Sequence, residues 1–349
     1  MLAFSGIENM PIDNVAMASD NKANSVEEGS LVLPDGTKLY TKTWKTKEKP
    51  RAIIAFYHGF SDHSNSWFQF FPTLASSGFE VHALDQRGWG QSSASDRKLR
   101  GDFGTTDVVM ADLHFFLQSV VPFTQEGSIP LFLMGHSMGG MNVLYYSLNP
   151  ESPYYTAQSS TPATPTSQVK LSGVVSIAPL VAVHPTTQPP KIVELLGRVA
   201  VKVLPKVTMV QAIDAKWVSR DPVVVESIRK DAVLSHKTGT LEALNAMLGR
   251  GAWLDALHKN PHSIAAEDNI PPIWVGHGTA DKITWFDATK RLMDNLKIKD
   301  KTFKVYEDAY HKLTNDTEEV VEEVTGHIVT WIEEKLPQGA VEGSTGEAQ

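Results

Sequence analysis

One serine of the chain lies in a local sequence that is typical of a nucleophile. Ser137 sits in Gly135-His136-Ser137-Met138-Gly139, the pattern G-x-S-x-G, with an apolar run before it and a helix-period stretch after it. On a turn between a strand and a helix, this pattern exposes the serine hydroxyl above the sheet, and the next N–H lies at a helix N-terminus. A tight glycine turn without chemistry is the alternative. We predict that Ser137 is a nucleophile and that the Met138 N–H stabilises an oxyanion.

A serine hydroxyl is a weak nucleophile unless a base removes its proton and an acid orients that base. Asp281 and His311 have the right types in the right chain order, and each follows a short apolar run. Helix capping by Asp281 and an ordinary loop position for His311 are the alternatives. Since three separate positions agree with one mechanism, we predict a catalytic triad of Ser137, Asp281 and His311. Asp308 is the second candidate for the acid.

A second oxyanion donor is expected from the loop after an early strand. His58-Gly59-Phe60 ends the apolar run at residues 52–57. Gly59 allows a sharp turn there, so the Phe60 N–H would point towards the same oxyanion as the Met138 N–H. We assign His58 to holding this loop and not to proton transfer.

Strands and helices in a particular arrangement are needed to bring these residues together. Mainly apolar runs, typical of strands buried on both faces, alternate along the chain with stretches of helical period. The runs are at residues 52–57, 81–84, 131–134, 174–177, 273–275 and 303–306, and the helical stretches are at 67–76, 106–121, 138–148, 285–296 and 317–336. This alternation predicts an α/β fold with a mostly parallel, doubly wound sheet, preceded by a hairpin of residues 31–33 and 37–44.

The regular alternation is interrupted by one long insertion. Residues 181–261 lie between two predicted strands and are mainly helical in period. We interpret them as a helical cap over the carboxyl ends of the strands, where open α/β sheets bind ligands. The core is then predicted at residues 30–180 and 262–336. The polar ends, residues 1–29 and 337–349, are predicted to be a flexible leader and a flexible tail.

Composition excludes several classes of protein. The 349 residues contain no Cys, which rules out thiolate metal sites and cysteine nucleophiles, and the His residues show no metal-binding spacing. With 32 Lys and Arg against 40 Asp and Glu, the net charge of −8 gives no general attraction to nucleic acid. We therefore expect no metal. No signal peptide or membrane-spanning run is visible, so we expect a cytoplasmic protein.

Five segments together resemble one known family. HGF, DQRGWGQS, GHSMGG, GTADKIT and YEDAYHKL occur in this order, and they look like the motifs of the monoacylglycerol lipase family of serine α/β-hydrolases, over about residues 31–335. The resemblance implies the α/β-hydrolase fold and the hydrolysis of a monoacylglycerol ester without a cofactor. It also implies Ser137, Asp281 and His311 as the triad, and Phe60 and Met138 as the oxyanion donors.

The same resemblance bears on the alcohol half of the substrate. Members of this family often carry a Glu after the HG turn and an Arg four residues later, which help to hold the glycerol. The matching residues here are Asp62 and Ser66. A carboxylate is kept, so Asp62 is a predicted substrate-binding residue, whereas the loss of the arginine leaves the identity of the alcohol open.

One stretch of the predicted cap has an apolar stripe. In residues 191–204, apolar side chains that include Leu195, Leu196 and Val199 recur at helical spacing, with basic residues on the other side. Packing on the core or over an acyl tunnel is one interpretation, and contact with a lipid surface is the other. Both make these three residues candidate substrate-binding residues. The second predicts peripheral contact with a membrane or a lipid droplet.

Other functions are compatible with parts of this pattern. A lysophospholipase or a carboxylesterase would keep the same triad, as would a proline-specific aminopeptidase or a cofactor-free haloperoxidase. A non-catalytic ligand receptor on the same scaffold would be expected to lose a triad residue, and none is missing. The long apolar cap favours a lipid acyl group over a peptide.

Overall fold

The computed structural model describes residues 25–94, 96–125, 128–152, 169–188, 200–210, 213–231, 238–265 and 269–337 of the chain. Within these residues, eight strands form one sheet, and they are β1 (Val26–Val32), β2 (Lys38–Trp44), β3 (Ala52–Tyr57), β4 (Phe79–Leu84), β5 (Leu131–His136), β6 (Gly173–Ile177), β9 (Ile273–Gly278) and β10 (Lys301–Tyr306). Two short strands, β7 (Thr208–Val210) and β8 (Thr238–Thr240), pair with each other outside this sheet.

The large sheet is mostly parallel. Its spatial order is β1-β2-β4-β3-β5-β6-β9-β10. The hairpin of β1 and β2 is antiparallel, β2 is antiparallel to β4, and the strands from β4 to β10 along this order run parallel. The carboxyl ends of the parallel strands therefore meet at one edge, which is where α/β sheets build their sites.

Burial on both faces explains the uninterrupted apolar run of β3, whereas β10, predicted to be buried on both faces as well, lies at the edge of the sheet and is largely exposed or half-buried. All six residues of β3 are buried. Alternate side chains enter different apolar clusters, with Ile53 and Ala55 on one side of the sheet and Ile54 and Phe56 on the other. A strand with helices over both faces has no solvent side for polar residues, as is usual in parallel sheets.

Helices cover both faces of the sheet. Those that the structure describes are α1 (Phe70–Ser76), α2 (Thr106–Val120), α3 (Met138–Leu148), α4 (Pro222–Lys230), α5 (Leu241–Ala256), α6 (Phe286–Asn295) and α7 (Glu318–Glu334). Helices α1 and α7 contribute to one apolar cluster, and α2, α3 and α6 contribute to the other. This two-sided layer confirms the predicted α/β fold with a doubly wound sheet.

The insertion between β6 and β9 is not entirely helical, since it also holds the β7–β8 pair. Its helix α5 packs against the core, because Ala243, Met247 and Leu254 belong to the same apolar cluster as α3. The division into core and cap at residues 181–261 stays a prediction. The stripe of Leu195, Leu196 and Val199 lies outside the described residues.

Two predicted boundaries differ from the structure. Residues 26–29, assigned above to the flexible leader, belong to β1, because they pair with residues 41–44 of β2. The helix expected from residue 67 begins at Phe70, since a short 3-10 turn at Ser64–Ser66 and the buried Trp67 precede it. Among the described helices, none combines the length and apolar character needed to cross a bilayer.

Candidate active site

Ser137 lies on the sharp turn between β5 and α3. Its backbone has φ 55° and ψ −117°, a region that non-glycine residues rarely adopt and that marks strain at functional turns. The surrounding packing explains the two glycines of the motif. A Cβ on Gly135 would lie 2.5 Å from Gly139 O, and one on Gly139 would lie 2.0 Å from Tyr57 O. Only glycine fits at either position, so the motif is required by this turn.

The same close packing brings the loop after β3 beside the serine. A Cβ on Gly59 would lie 3.1 Å from Ser137 Cβ. Phe60 follows at once, and its ring makes edge contacts with Trp89 and Phe103 that hold the loop. Since Met138 is the first residue of α3, the residues of both predicted oxyanion donors flank Ser137. Their roles as donors stay a prediction.

The predicted acid and base are in direct contact. His311 Nδ1 lies 2.7 Å from Asp281 Oδ2, and both residues are buried. The second carboxylate oxygen, Oδ1, accepts hydrogen bonds from the backbone N–H groups of Ile283 (2.7 Å) and Thr284 (3.0 Å). Because an ionised carboxylate only accepts, His311 Nδ1 carries the proton, and Nε2 is left free to take one from a serine hydroxyl.

Electrostatics keeps Asp281 ionised despite its burial. Burial alone would raise the pKa of this carboxyl, but the electrostatic interaction with His311 and the hydrogen bonds from His277 and His311 outweigh it. The net pKa of Asp281 lies below its ordinary value. A buried carboxylate of this kind can orient a histidine and stabilise its protonated form during proton transfer.

A second histidine shares this carboxylate and was not predicted. His277, at the end of β9, is fully buried, and its Nε2 lies 3.1 Å from Asp281 Oδ2. The Thr284 hydroxyl donates to the same oxygen at 2.7 Å. The signal was present in the sequence as a histidine four residues before Asp281, but a spacing of four outside a helix does not by itself predict contact.

The insertion holds the loop that carries His311. Lys312 N donates to Val218 O at 2.8 Å. Arg220 Nε lies 3.0 Å from Asp316 Oδ1, whose carboxylate also accepts from Tyr310 N at 2.9 Å. Residues on both sides of His311 are therefore bound, directly or through Asp316, to the segment just before α4.

These residues meet in a cleft that is open to solvent and has a cavity volume of about 80 Å³. Its walls include Ser137, His311, Phe60 and Asp62, which are four of the predicted site residues. Apolar side chains of the insertion complete the wall, namely Ile213, Val218 and Ile228. The cleft thus places apolar surface beside a candidate nucleophile, base and carboxylate.

Comparison with known proteins agrees with this geometry. Residues 48–318, more than three quarters of the chain, match the hydrolase family described as serine aminopeptidase, S33. The chain is 31% identical to the "Putative monoglyceride lipase" of Schizosaccharomyces pombe over 85% of this chain and 71% of that protein. It is 26% identical to the monoacylglycerol lipase of Mycolicibacterium smegmatis, over 87% of this chain and 97% of that protein.

Solved structures show the same relation. The monoacylglycerol lipase of Paleococcus ferrophilus is 27% identical, with a TM-score of 0.64 over 85% of this chain and 99% of that chain. A soluble variant of the Saccharomyces cerevisiae monoglyceride lipase, solved with a substrate analogue, shares the fold with a TM-score of 0.76 over 90% of this chain and 96% of that chain, at 22% identity. The chain is an ester hydrolase that belongs to the monoglyceride lipase family of α/β hydrolases.

Proposed function

We propose that this enzyme hydrolyses monoacylglycerols to a fatty acid and glycerol through an acyl-enzyme intermediate on Ser137. The observation that carries the proposal is that Ser137, His311 and apolar residues of the insertion line the same cleft. The relatives named above support the substrate class, since monoglyceride lipases of three other organisms match most of this chain.

The chemistry follows from the positions of the groups. His311 Nε2 takes the proton of the Ser137 hydroxyl as Oγ attacks the ester carbonyl carbon, and the Phe60 and Met138 N–H groups stabilise the oxyanion. The C–O bond to glycerol then breaks, and His311 returns the proton to the leaving oxygen. Water repeats the sequence on the acyl-enzyme and releases the fatty acid. Asp281 orients His311 throughout.

The substrate must reach this cleft from a lipid phase, and the insertion offers a surface for it. Val203 and Val210 are 75% and 72% exposed, and Leu204, Val207 and Met209 are also exposed. Exposed lysines at 202 and 206 lie in the same segment. Apolar side chains next to basic ones are typical of segments that bind lipid surfaces. We include peripheral contact with a membrane or lipid droplet in the proposal, with the stripe of Leu195, Leu196 and Val199 as its predicted continuation.

The cleft is less suited to an aminopeptidase. Binding a peptide N-terminus requires an unpaired carboxylate for its ammonium group. Among the described residues that line the cleft, Asp62 is the carboxylate, and Lys312 already pairs with it at 3.2 Å. Ester hydrolysis needs no such group.

A panel of substrates tests the proposal. We expect the highest kcat/KM for long-chain monoacylglycerols among monoacylglycerols, lysophospholipids, short p-nitrophenyl esters and aminoacyl anilides. A higher value for lysophospholipids or for anilides would replace the proposed substrate class. Labelling by a fluorophosphonate probe should occur in the wild type and disappear in Ser137→Ala; labelling that persists would exclude Ser137 as the nucleophile.

A further inference from the structure

A buried ion pair lies in the wall of the cleft beside the candidate base. Lys312 follows His311 directly and is 4% exposed. Its Nζ lies 3.2 Å from Asp62 Oδ2, 2.8 Å from Ser66 Oγ and 3.1 Å from Ser66 O. It also lies 4.2 Å from the centre of the Trp67 ring. Both Lys312 and Asp62 line the cleft.

Each charge compensates the other in this wall. Burial alone would raise the pKa of the Asp62 carboxyl, but the charge of Lys312 outweighs burial and holds that pKa below its ordinary value. Burial lowers the pKa of Lys312, and the charge of Asp62 opposes this effect. Two apolar side chains of similar volume often stabilise a fold as well as a buried ion pair does. The pair therefore points to a role beyond stability.

The two ends of the pair differ in the hydrogen bonds that they can still make. The three N–H donors of Lys312 are taken by Ser66 and by the Asp62 carboxylate. Asp62 Oδ1 accepts from His63 N at 2.8 Å and from the Ser66 hydroxyl. Among the residues that the structure describes, Asp62 Oδ2 accepts from Lys312 alone. A carboxylate oxygen accepts about two hydrogen bonds, so Oδ2 keeps room for one hydroxyl donor.

The cation comes from an unexpected part of the chain. Lys312 and Asp62 are 250 residues apart. Lys312 Nζ also reaches the hydroxyl of Ser66. The cation that pairs with Asp62 is thus supplied by the loop of His311.

We propose that Lys312 sets the preference of this enzyme for the alcohol half of its ester. By holding Asp62 ionised and in place, Lys312 lets Oδ2 accept a hydrogen bond from a free hydroxyl of the leaving alcohol. The preferred class is then esters of polyhydric alcohols over esters of simple alkanols. This inference rests on the proposed ester hydrolysis at Ser137. Lys312 is a positioning residue, since its own donors are occupied and it acts through Asp62.

Two water-soluble esters with the same acyl group test this inference. Glyceryl monobutyrate and propyl butyrate differ in the free hydroxyls of the alcohol, so the ratio of their kcat/KM values isolates the alcohol site. We expect the wild type to favour the glyceryl ester, and Lys312→Met to lower this ratio by about tenfold or more. Lys312→Arg should keep most of the ratio because it keeps the cation. Lys335→Met, which removes the lysine that pairs with Asp300 away from the cleft, is the matched control.

Equal losses on both esters in Lys312→Met would overturn the proposal, because they would mean that Lys312 only supports the loop of His311. An unchanged ratio would also overturn it. If Lys312→Met does not fold, Asp62→Asn makes the same comparison, and a wild-type ratio in that variant contradicts the inference. A separate result would contradict the proposed function. If the wild type does not hydrolyse long-chain monoacylglycerol, the proposed function is wrong, whatever the ratio of the two butyrates.

Discussion

Apolar side chains are buried in the strands that end at the carboxyl edge of the sheet, and they are exposed in the segment at residues 200–210. Every residue of β3, β5 and β9, whose ends carry the loops of the site, is buried. In the segment, by contrast, all three residues of β7 are exposed, and Val203 is 75% exposed. One region buries its apolar residues within the chain, and the other leaves them facing outwards.

Under the proposed function, this difference separates chemistry from access to substrate. At the sheet edge, burial on both faces fixes the ends of β5 and β9, so Ser137 and Asp281 are held by the core, and Asp281 in turn holds His311. In the segment, several exposed apolar side chains close together in sequence stabilise no core, and a lipid surface would cover them. Changes at the edge should therefore affect every substrate, whereas changes in the segment should affect only substrates dissolved in lipid.

The largest effect is expected from Ser137→Ala and from His311→Ala. Each should lower kcat by at least about 10³-fold on both a short soluble ester and a long-chain monoacylglycerol, because the two groups act as one unit. Steady-state rates on both substrates provide the measurement. Ser119→Ala on α2 serves as a control that should keep wild-type rates. A loss confined to the lipid substrate would contradict the assignment of these residues to the chemistry.

Asp281→Asn should follow, with a somewhat milder loss on the same two substrates. The change removes the charge that orients and stabilises His311, while Ser137 and the oxyanion donors stay in place. Rates at several pH values on the soluble ester measure it. If this variant hydrolyses esters like the wild type, the acid is misassigned, and Asp308 becomes the candidate.

A more selective effect is expected from serine substitutions in the segment at residues 200–210. Val203→Ser with Leu204→Ser should weaken binding to vesicles and slow the turnover of long-chain monoacylglycerol. Burying such a side chain contributes roughly 1.5–3 kcal/mol, so two of them could supply much of a reversible attachment. Vesicle co-sedimentation and rates on both substrates measure this effect.

The same test applies to Leu195→Ser with Leu196→Ser in the predicted stripe. Turnover of the soluble ester should be nearly unchanged in both double variants. Equal losses on both substrates, with a lowered melting temperature, would mean that the side chains belong to the core. Unchanged vesicle binding by well-folded variants would exclude the lipid contact.

The smallest effect is expected from Arg220→Ala, in the part of the insertion that holds the loop of His311. Without Arg220, Asp316 loses its ion-pair partner, and the loop of His311 is held less firmly. Because Arg220 is partly exposed, we expect only a loss of about threefold in kcat, the same on soluble and lipid substrates. Arg291→Ala, which removes a pair with Asp255, is the control. A loss on the lipid substrate alone would mean that Arg220 affects the entry of that substrate and not the position of His311.

The parts of the site that could be predicted from the sequence are those fixed by strand ends. Mainly apolar runs indicated the strands, and the loops after these strands contain Ser137, Asp281 and His311, whose predicted roles came from their type and order. The glycines beside Ser137 also indicated a tight turn at this position, because the close packing of the turn admits no side chain there.

Contacts between distant loops could not be predicted. Lys312 and Asp62 are brought together only by folding, and neither lies in a periodic pattern that indicates a partner. The contact of His277 with Asp281 depends on the curve of the loop after β9. The β7–β8 pair in the insertion was missed as well, because strands of three residues give no alternation to detect.

Rapid-quench mass spectrometry of the reaction with monooleoylglycerol tests whether Ser137 forms the acyl-enzyme. The wild-type enzyme is mixed with the substrate in vesicles, quenched early in the reaction, digested and analysed for acylated peptides. We expect an oleoyl group on the peptide that contains Ser137, with glycerol released in equal amount, and neither product in Ser137→Ala. Acylation of a different residue, or glycerol release that survives in Ser137→Ala, would contradict this expectation.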